Sequence, residues 1–169
     1  MISRSSEYAI RALTYMALQE ADTFHLAQDM ARELSIPPAF LGKVLQPLVT
    51  RGILASQRGR GGGFRLVRPA NAVHLAEIIA TQENLERSRQ CVLGQGDCSD
   101  EHACPLHKDW RSRTDSFLEQ LEHTSLADLL HYQRAHPDSR YPFPSSIQPI
   151  ESTHSGRSVS APTPLTSLK

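Results

Sequence analysis

Three observations in the 169-residue chain predict a mainly α fold with one short β-hairpin. Apolar residues recur at helical spacing over most of residues 3–135. One glycine-rich stretch, Gly59-Arg60-Gly61-Gly62-Gly63, separates two short β-prone runs. All three cysteines fall in a single weakly patterned segment, Cys91 to Cys104.

The first helix is read over residues 3–20, where Ala9, Ile10, Leu13, Met16 and Ala17 form an apolar stripe beside Glu7, Arg11 and Gln19. A second, short helix carries Leu26, Met30 and Leu34 four residues apart. Ser35-Ile36-Pro37-Pro38 ends it and opens a third, because proline is tolerated in a first helical turn but not mid-helix. Phe40, Leu41, Val44, Leu45 and Leu48 carry the third helix to Arg51, and Gly52 supplies its stop. Pro47 lies inside that span and predicts a kink or a shortened helix.

Two helices joined by a tight turn, the second bearing Lys43, have helix–turn–helix geometry. Residues 53–58 and 64–67 read as two strands, and the glycine run between them as a hairpin tip flanked by Arg58 and Arg60. The run fits neither a P-loop nor a dinucleotide-binding fingerprint, which need different spacings. It reads instead as a wing whose arginines enter a minor groove or grip phosphates. The fold class is therefore mainly α, a winged helix–turn–helix with a long C-terminal dimerisation helix. A short helix over Val73 to Glu83 closes the DNA-binding domain, residues 1–83.

Residues 84–134 hold the cysteine loop, 91–107, and the long helix. Pro105 is favoured at a first helical position, which makes Cys104 the expected cap and places His107 on the same face. Cys91, Cys98, Cys104 and His107 can then point at one centre. Three sulphurs and a nitrogen suit zinc or an iron–sulphur cluster. An odd cysteine count with no sign of an oxidising compartment argues against disulfides. Leu106, Trp110, Arg113, Phe117 and Leu121 run close to a heptad seam along the long helix, which predicts pairing with a second copy. Ser125 resembles a cap opening a last helix through Tyr132. Residues 136–169 contain six of the eleven prolines and eight serines, and residues 135–169 read as a disordered tail.

The formal charge is zero but uneven. Residues 1–70 carry nine Lys/Arg against five Asp/Glu, and residues 71–135 carry six against eleven. A basic head on an acidic body suits a nucleic-acid partner and a separate sensing or oligomerising part. No run is long enough for a membrane helix and no signal peptide opens the chain, so a cytoplasmic protein without membrane association is expected. No Cys-x-x-Cys, His-Glu-x-x-His or Ser/His/Asp arrangement supports an enzyme.

Ser-Ser-Glu-Tyr-Ala-Ile-Arg-Ala-Leu at 5–13, Arg-Gly-x-Gly-Gly-Gly-Phe-x-Leu at 58–66 and the loop ending Cys-Pro-Leu-His resemble the Rrf-two (Rrf2) family of bacterial transcription regulators. The resemblance covers residues 1–134. It implies a homodimeric repressor or activator that binds a double-stranded DNA operator according to its cluster state. It implies Cys91, Cys98 and Cys104 as ligands of an iron–sulphur cluster, 2Fe-2S before 4Fe-4S, with zinc as the alternative. The fourth ligand in some members is a histidine matching His107; in others it is an acidic residue of the first helix, near Glu7. The first cysteine gap is one residue longer than in known members. DNA contacts carried over lie at Pro38, Ala39, Gly42 and Lys43, with Arg58 and Arg60 in the wing.

Overall fold

The computed structural model describes residues 2–143. Its helices are α1 (Arg4–Leu18), α2 (Ala27–Glu33), α3 (Pro38–Thr50), α4 (Leu75–Ala80), α5 (His107–His123) and α6 (Leu126–Ala135), with strands β1 (Leu54–Gln57) and β2 (Gly63–Leu66) between α3 and α4. Short 3-10 turns occupy Ala70–Ala72 and Leu85–Arg89. Among the described residues no helix is long and apolar enough to cross a membrane.

Local chemistry sets most of these limits. The Ser3 hydroxyl caps α1 by accepting from the Ser6 N–H. Pro38 stands at the first position of α3, where its missing N–H leaves no gap. The Ser125 hydroxyl and the Asp128 carboxylate form a reciprocal capping box at α6. The last helix is longer than the sequence predicts, ending at Ala135 rather than Tyr132.

Leu41, Val44, Leu45 and Leu48 put one face of α3 into the core. They meet Leu13 and Met16 of α1, Met30 of α2, Ile78 and Ile79 of α4, Leu118 and Leu121 of α5, and Leu126 of α6. Truncating a residue such as Leu45 to alanine costs about 2–5 kcal/mol at sites of this kind. The core continues across residue 83, with Leu118, Leu121 and Leu126 part of it.

β1 and β2 pair antiparallel, with Leu54 opposite Leu66 and Gln57 opposite Gly63. The loop before α2 joins this hairpin through reciprocal hydrogen bonds between His25 and Phe64, both 2.9 Å.

Four expectations need correction. Of the two outcomes expected at Pro47, a shortened helix does not occur, since α3 continues to Thr50 with Pro47 inside it. The fourth helix covers only Leu75–Ala80, because Val73 and His74 pair with the backbone of residues 124–126 and residues 81–83 turn away. Cys104 does not cap α5. Cys104 to His107 form a β-turn closed by the His107 N–H on the Cys104 carbonyl at 2.9 Å, with Pro105 at its second position, and α5 begins at His107.

The fourth correction concerns the tail. Residues read as disordered from 136 onward pack on α1 as far as Phe143. Tyr141 places its hydroxyl 2.9 Å from that of the buried Thr14, and Arg11 Nε donates to the Pro142 carbonyl at 2.9 Å. Phe143 meets the Tyr15 ring edge-on. Aromatic contacts and one buried arginine suffice where the Pro/Ser composition predicts none. Residues 144–169 of the expected tail lie outside the described residues.

Candidate functional site

Burial of Leu41, Val44, Leu45 and Leu48 turns the opposite face of α3 outward. Pro38, Ala39 and Lys43 are exposed on it, and Gly42 is half-buried with open space above its Cα. Arg58 and Arg60 are exposed at the hairpin tip. The ion pairs of the basic head sort its cations. Arg4 and Arg11 pair with Glu7, Arg32 with Asp29, Arg65 with Asp22 and Arg68 with Glu77. Of the nine Lys/Arg in residues 1–70, Lys43, Arg51, Arg58 and Arg60 have no such partner among the described residues. These four occupy α3, its C-terminal cap and the hairpin tip. Within residues 1–70 these exposed charges are the ones not already neutralised by a neighbouring carboxylate.

The cysteine loop is shaped by its backbone. Gln90 and Asp97 form an antiparallel bridge, and the Cys91 N–H donates to the Gly96 carbonyl at 2.7 Å. This closure carries Cys98 back beside Cys91. Trp110 of α5 donates its indole N–H to the Gln90 carbonyl at 2.8 Å, fixing the loop to the helix. Cys104 enters from the turn before α5, and His107 is its first residue, only 4% exposed.

Backbone N–H groups of Gln95 and Leu93 aim at the Cys91 sulphur and, with the Cys104 thiol and the Gly94 N–H, hold it below the usual thiol range despite desolvation. Desolvation pushes the Cys98 thiol up, and the neighbouring Cys91 and Cys104 sulphurs add to this. Cys98 Sγ lies 3.1 Å from His107 Nδ1. His107 Nε2 lies 2.8 Å from Asp100 Oδ1, and Arg111 Nη1 stands 3.1 Å from the other Asp100 oxygen.

Cys91, Cys98, Cys104 and His107 therefore gather in one place. They stand as two pairs, Cys91 with Cys104 and Cys98 with His107. Among the described residues no group of three His, Cys, Asp or Glu side chains is arranged to hold a metal ion as it stands. By chemistry the donor set fits a soft metal centre: three thiols outside any disulfide, one with N–H groups directed at its sulphur, and an imidazole nitrogen. Glu7 lies on α1, engaged by Arg4 and Arg11 rather than by the loop.

Asp100, Arg111 and the Trp110–Gln90 tie were not read from the sequence. Asp100 lies within the loop, but no spacing rule assigns a loop carboxylate to a histidine seven residues away. The long helix divides the seam residues between core and surface. His107, Thr114, Leu118 and Leu121 face inward, while Leu106 and Phe117 of the predicted seam are exposed and Trp110 is half-buried.

Residues 2–132 match the family model Rrf2, described as iron-dependent transcriptional regulator. The chain belongs to the Rrf2 family. Protein aau3 of Rhizobium meliloti is 31% identical over 130 residues, 76% of this chain and 84% of that protein. The HTH-type transcriptional regulator IscR of Vibrio campbellii is 26% identical over 129 residues, 76% of each chain. The structure of CymR, the global cysteine regulator of B. subtilis, superposes with a TM-score of 0.66 at 22% identity, over 78% of this chain and 97% of that one. This likeness shows a shared winged-helix fold. Rrf2 proteins are DNA-binding transcriptional regulators, not enzymes, and this chain is one of them.

Proposed function

We propose that this Rrf2 regulator binds operator DNA as a homodimer, and that an iron–sulphur cluster held by Cys91, Cys98, Cys104 and His107 sets its affinity. The carrying observation is the gathering of three uncrosslinked thiols and one imidazole nitrogen at the N-terminus of α5. The family's iron-dependent description and the IscR relatives support the same reading. A 2Fe-2S cluster is the first candidate and 4Fe-4S the second. When bound, the cluster supplies a centre that oxidants and nitric oxide attack.

The residues of the chain carry the response. Pro38, Ala39 and Lys43 face the major groove, while Arg58 and Arg60 hold the minor groove or its phosphates. The seam of Trp110, Arg113 and Phe117 on α5 faces the second subunit. The loop lies between that seam and the 3-10 turn at Leu85–Arg89. Its rearrangement shifts the dimer helix against the head, and with it the spacing of two recognition helices, as a population shift. Glu7 from the second subunit is the alternative fourth ligand.

A second reading, thiol-based sensing, is favoured by the contact between the Cys91 and Cys104 side chains. A structural zinc in the same ligands is its close variant. Anaerobic purification with a visible spectrum, iron content and acid-labile sulphide tests all three. Brown protein with iron and sulphide in equal amounts supports the cluster. Colourless protein with stoichiometric zinc moves the function to the zinc reading, and metal-free protein to the thiol reading. Equal operator affinity with and without the cluster overturns its control of DNA binding.

A further inference from the structure

The exposed Asp100 carboxylate faces the buried imidazole of His107 on the side away from Cys98. Its Oδ1 lies 2.8 Å from Nε2, while Nδ1 faces the Cys98 sulphur at 3.1 Å. A carboxylate only accepts hydrogen bonds, so Nε2 carries the hydrogen of the neutral ring and Nδ1 presents its lone pair. The second oxygen of Asp100 is held by Arg111 Nη1 at 3.1 Å, and Arg111 also reaches Asp115 on the same helix at 3.9 Å. The three groups thus run Arg111–Asp100–His107, ending at the nitrogen that points into the cysteine loop.

We propose that Asp100, steadied by Arg111, is the positioning residue that fixes the tautomer and ring orientation of His107 so that Nδ1 serves as ligand. The inference rests on the proposed cluster site and adds two residues to it. A histidine ligand needs its other nitrogen fixed, because a free ring offers either nitrogen and several orientations, and loss of such outer partners typically lowers metal affinity about 10–100-fold. Asp100 also sets the charge beside the ligand. A carboxylate accepting the Nε2 hydrogen makes the ring a stronger donor, and Arg111 tempers that charge. The side chain of Asp100 is 82% exposed, so its replacement leaves the core untouched.

The test compares wild-type chain with Asp100→Ala, Asp100→Asn and Arg111→Gln, each purified anaerobically and carrying its cluster. Pulsed electron paramagnetic resonance of the reduced cluster reads the ligand nitrogen, and a redox titration reads the potential. Asp100→Ala is expected to lose or split the single nitrogen coupling and release iron to a chelator about 10–100-fold more readily. Asp100→Asn, which keeps an acceptor, restores the coupling but titrates at a higher potential than wild type. Arg111→Gln keeps the coupling and shifts the potential the opposite way. A nitrogen coupling in Asp100→Ala identical to wild type overturns the positioning role, whatever happens to the potential. Wild-type protein without iron and sulphide overturns the proposed function itself, which the metal analysis registers before any variant is made.

Discussion

Gly63 lies so close to the His25 carbonyl that a Cβ on residue 63 would collide with it and with the Leu26 nitrogen. The approach follows from the paired hydrogen bonds between His25 and Phe64, which add the loop before α2 to the hairpin as a third edge. Gly63 also has φ of 132°, a conformation that residues with side chains rarely adopt. Gly63→Ala is expected to destabilise the protein by about 1–3 kcal/mol from backbone strain alone, with the steric clash added to it. Thermal unfolding reads the loss. An unchanged Tm would mean that the loop and the hairpin separate at no cost.

The cations left unpaired on α3 and the hairpin tip predict a salt-dependent grip on DNA. Arg58→Ala and Arg60→Ala should each weaken operator binding and reduce the slope of log affinity against log salt by about 1. Binding titrations at several salt concentrations check this. Arg65→Ala is the contrasting variant, since Arg65 is held by Asp22 and lies over the Phe24 ring; its slope should stay near that of wild type.

Gly42 sits mid-helix on the exposed side of α3, with nothing within 4 Å of a built Cβ. Gly42→Ala should therefore stabilise the fold by roughly 0.5–1 kcal/mol, because glycine loses more backbone freedom on folding. Gly42→Glu should keep a folded protein but abolish operator binding by placing a negative charge on the recognition face. Denaturant unfolding alongside a gel-shift assay separates the two effects.

Arg11 ties three segments together. It pairs with Glu7 on α1, donates to the Leu34 carbonyl at the end of α2 and donates to the Pro142 carbonyl. Its side chain is only 11% exposed. Arg11→Ala leaves carbonyls short of a donor in a partly dry site and should cost about 1–3 kcal/mol. Tyr141→Phe, which removes the bond to Thr14, should cost about 0.5–1.5 kcal/mol. Urea unfolding with an unchanged m-value is the check.

Acid should destabilise the fold through two carboxylates. Burial pushes the Glu83 carboxyl up, but hydrogen bonds from the Ser6 hydroxyl and from Ser3 outweigh it and hold the pKa low. The Ser125 hydroxyl and N–H hold the Asp128 carboxyl low in the same way. A carboxylate whose folded pKa lies below its unfolded value stabilises above the unfolded pKa, and this contribution disappears as pH falls through the folded one. The contribution of these two carboxylates should thus fall on acidification below the ordinary carboxylate range of about 4, and burial of His25, which lowers its pKa, adds a loss that begins below the ordinary histidine range. Glu83→Gln and Asp128→Asn should each flatten that fall. Unfolding free energies across the acid range measure it.

The helix–turn–helix and the hairpin were legible in the chain because their signals are local. The buried leucines of α3 repeat at helical spacing, Pro38 marks its start, and Ser125 with Asp128 spells out a capping box four residues long. The clustering of Cys91, Cys98 and Cys104 along the chain was legible for the same reason. The start of α5 was misjudged because Pro105 suits a first helical turn and the second position of a β-turn equally well. The burial of Thr114 and Leu121 on α5 was not legible, because the heptad-like seam carries no sign of which of its residues pack on the chain's own core.

Sequence alone sufficed for the number and order of the helices and for the hairpin, though not for every helix end, since each depends on neighbours within a few residues. Tertiary structure decided the rest. Ser6 meets Glu83 across 77 residues, Tyr141 meets Thr14 across 127 and Pro142 meets Arg11 across 131. Only the packed chain selects which cations stay unpaired, which face of α5 turns inward and which carboxylate reaches His107. Each of those outcomes depends on the relative placement of separate elements, and no periodicity along one element encodes the position of another.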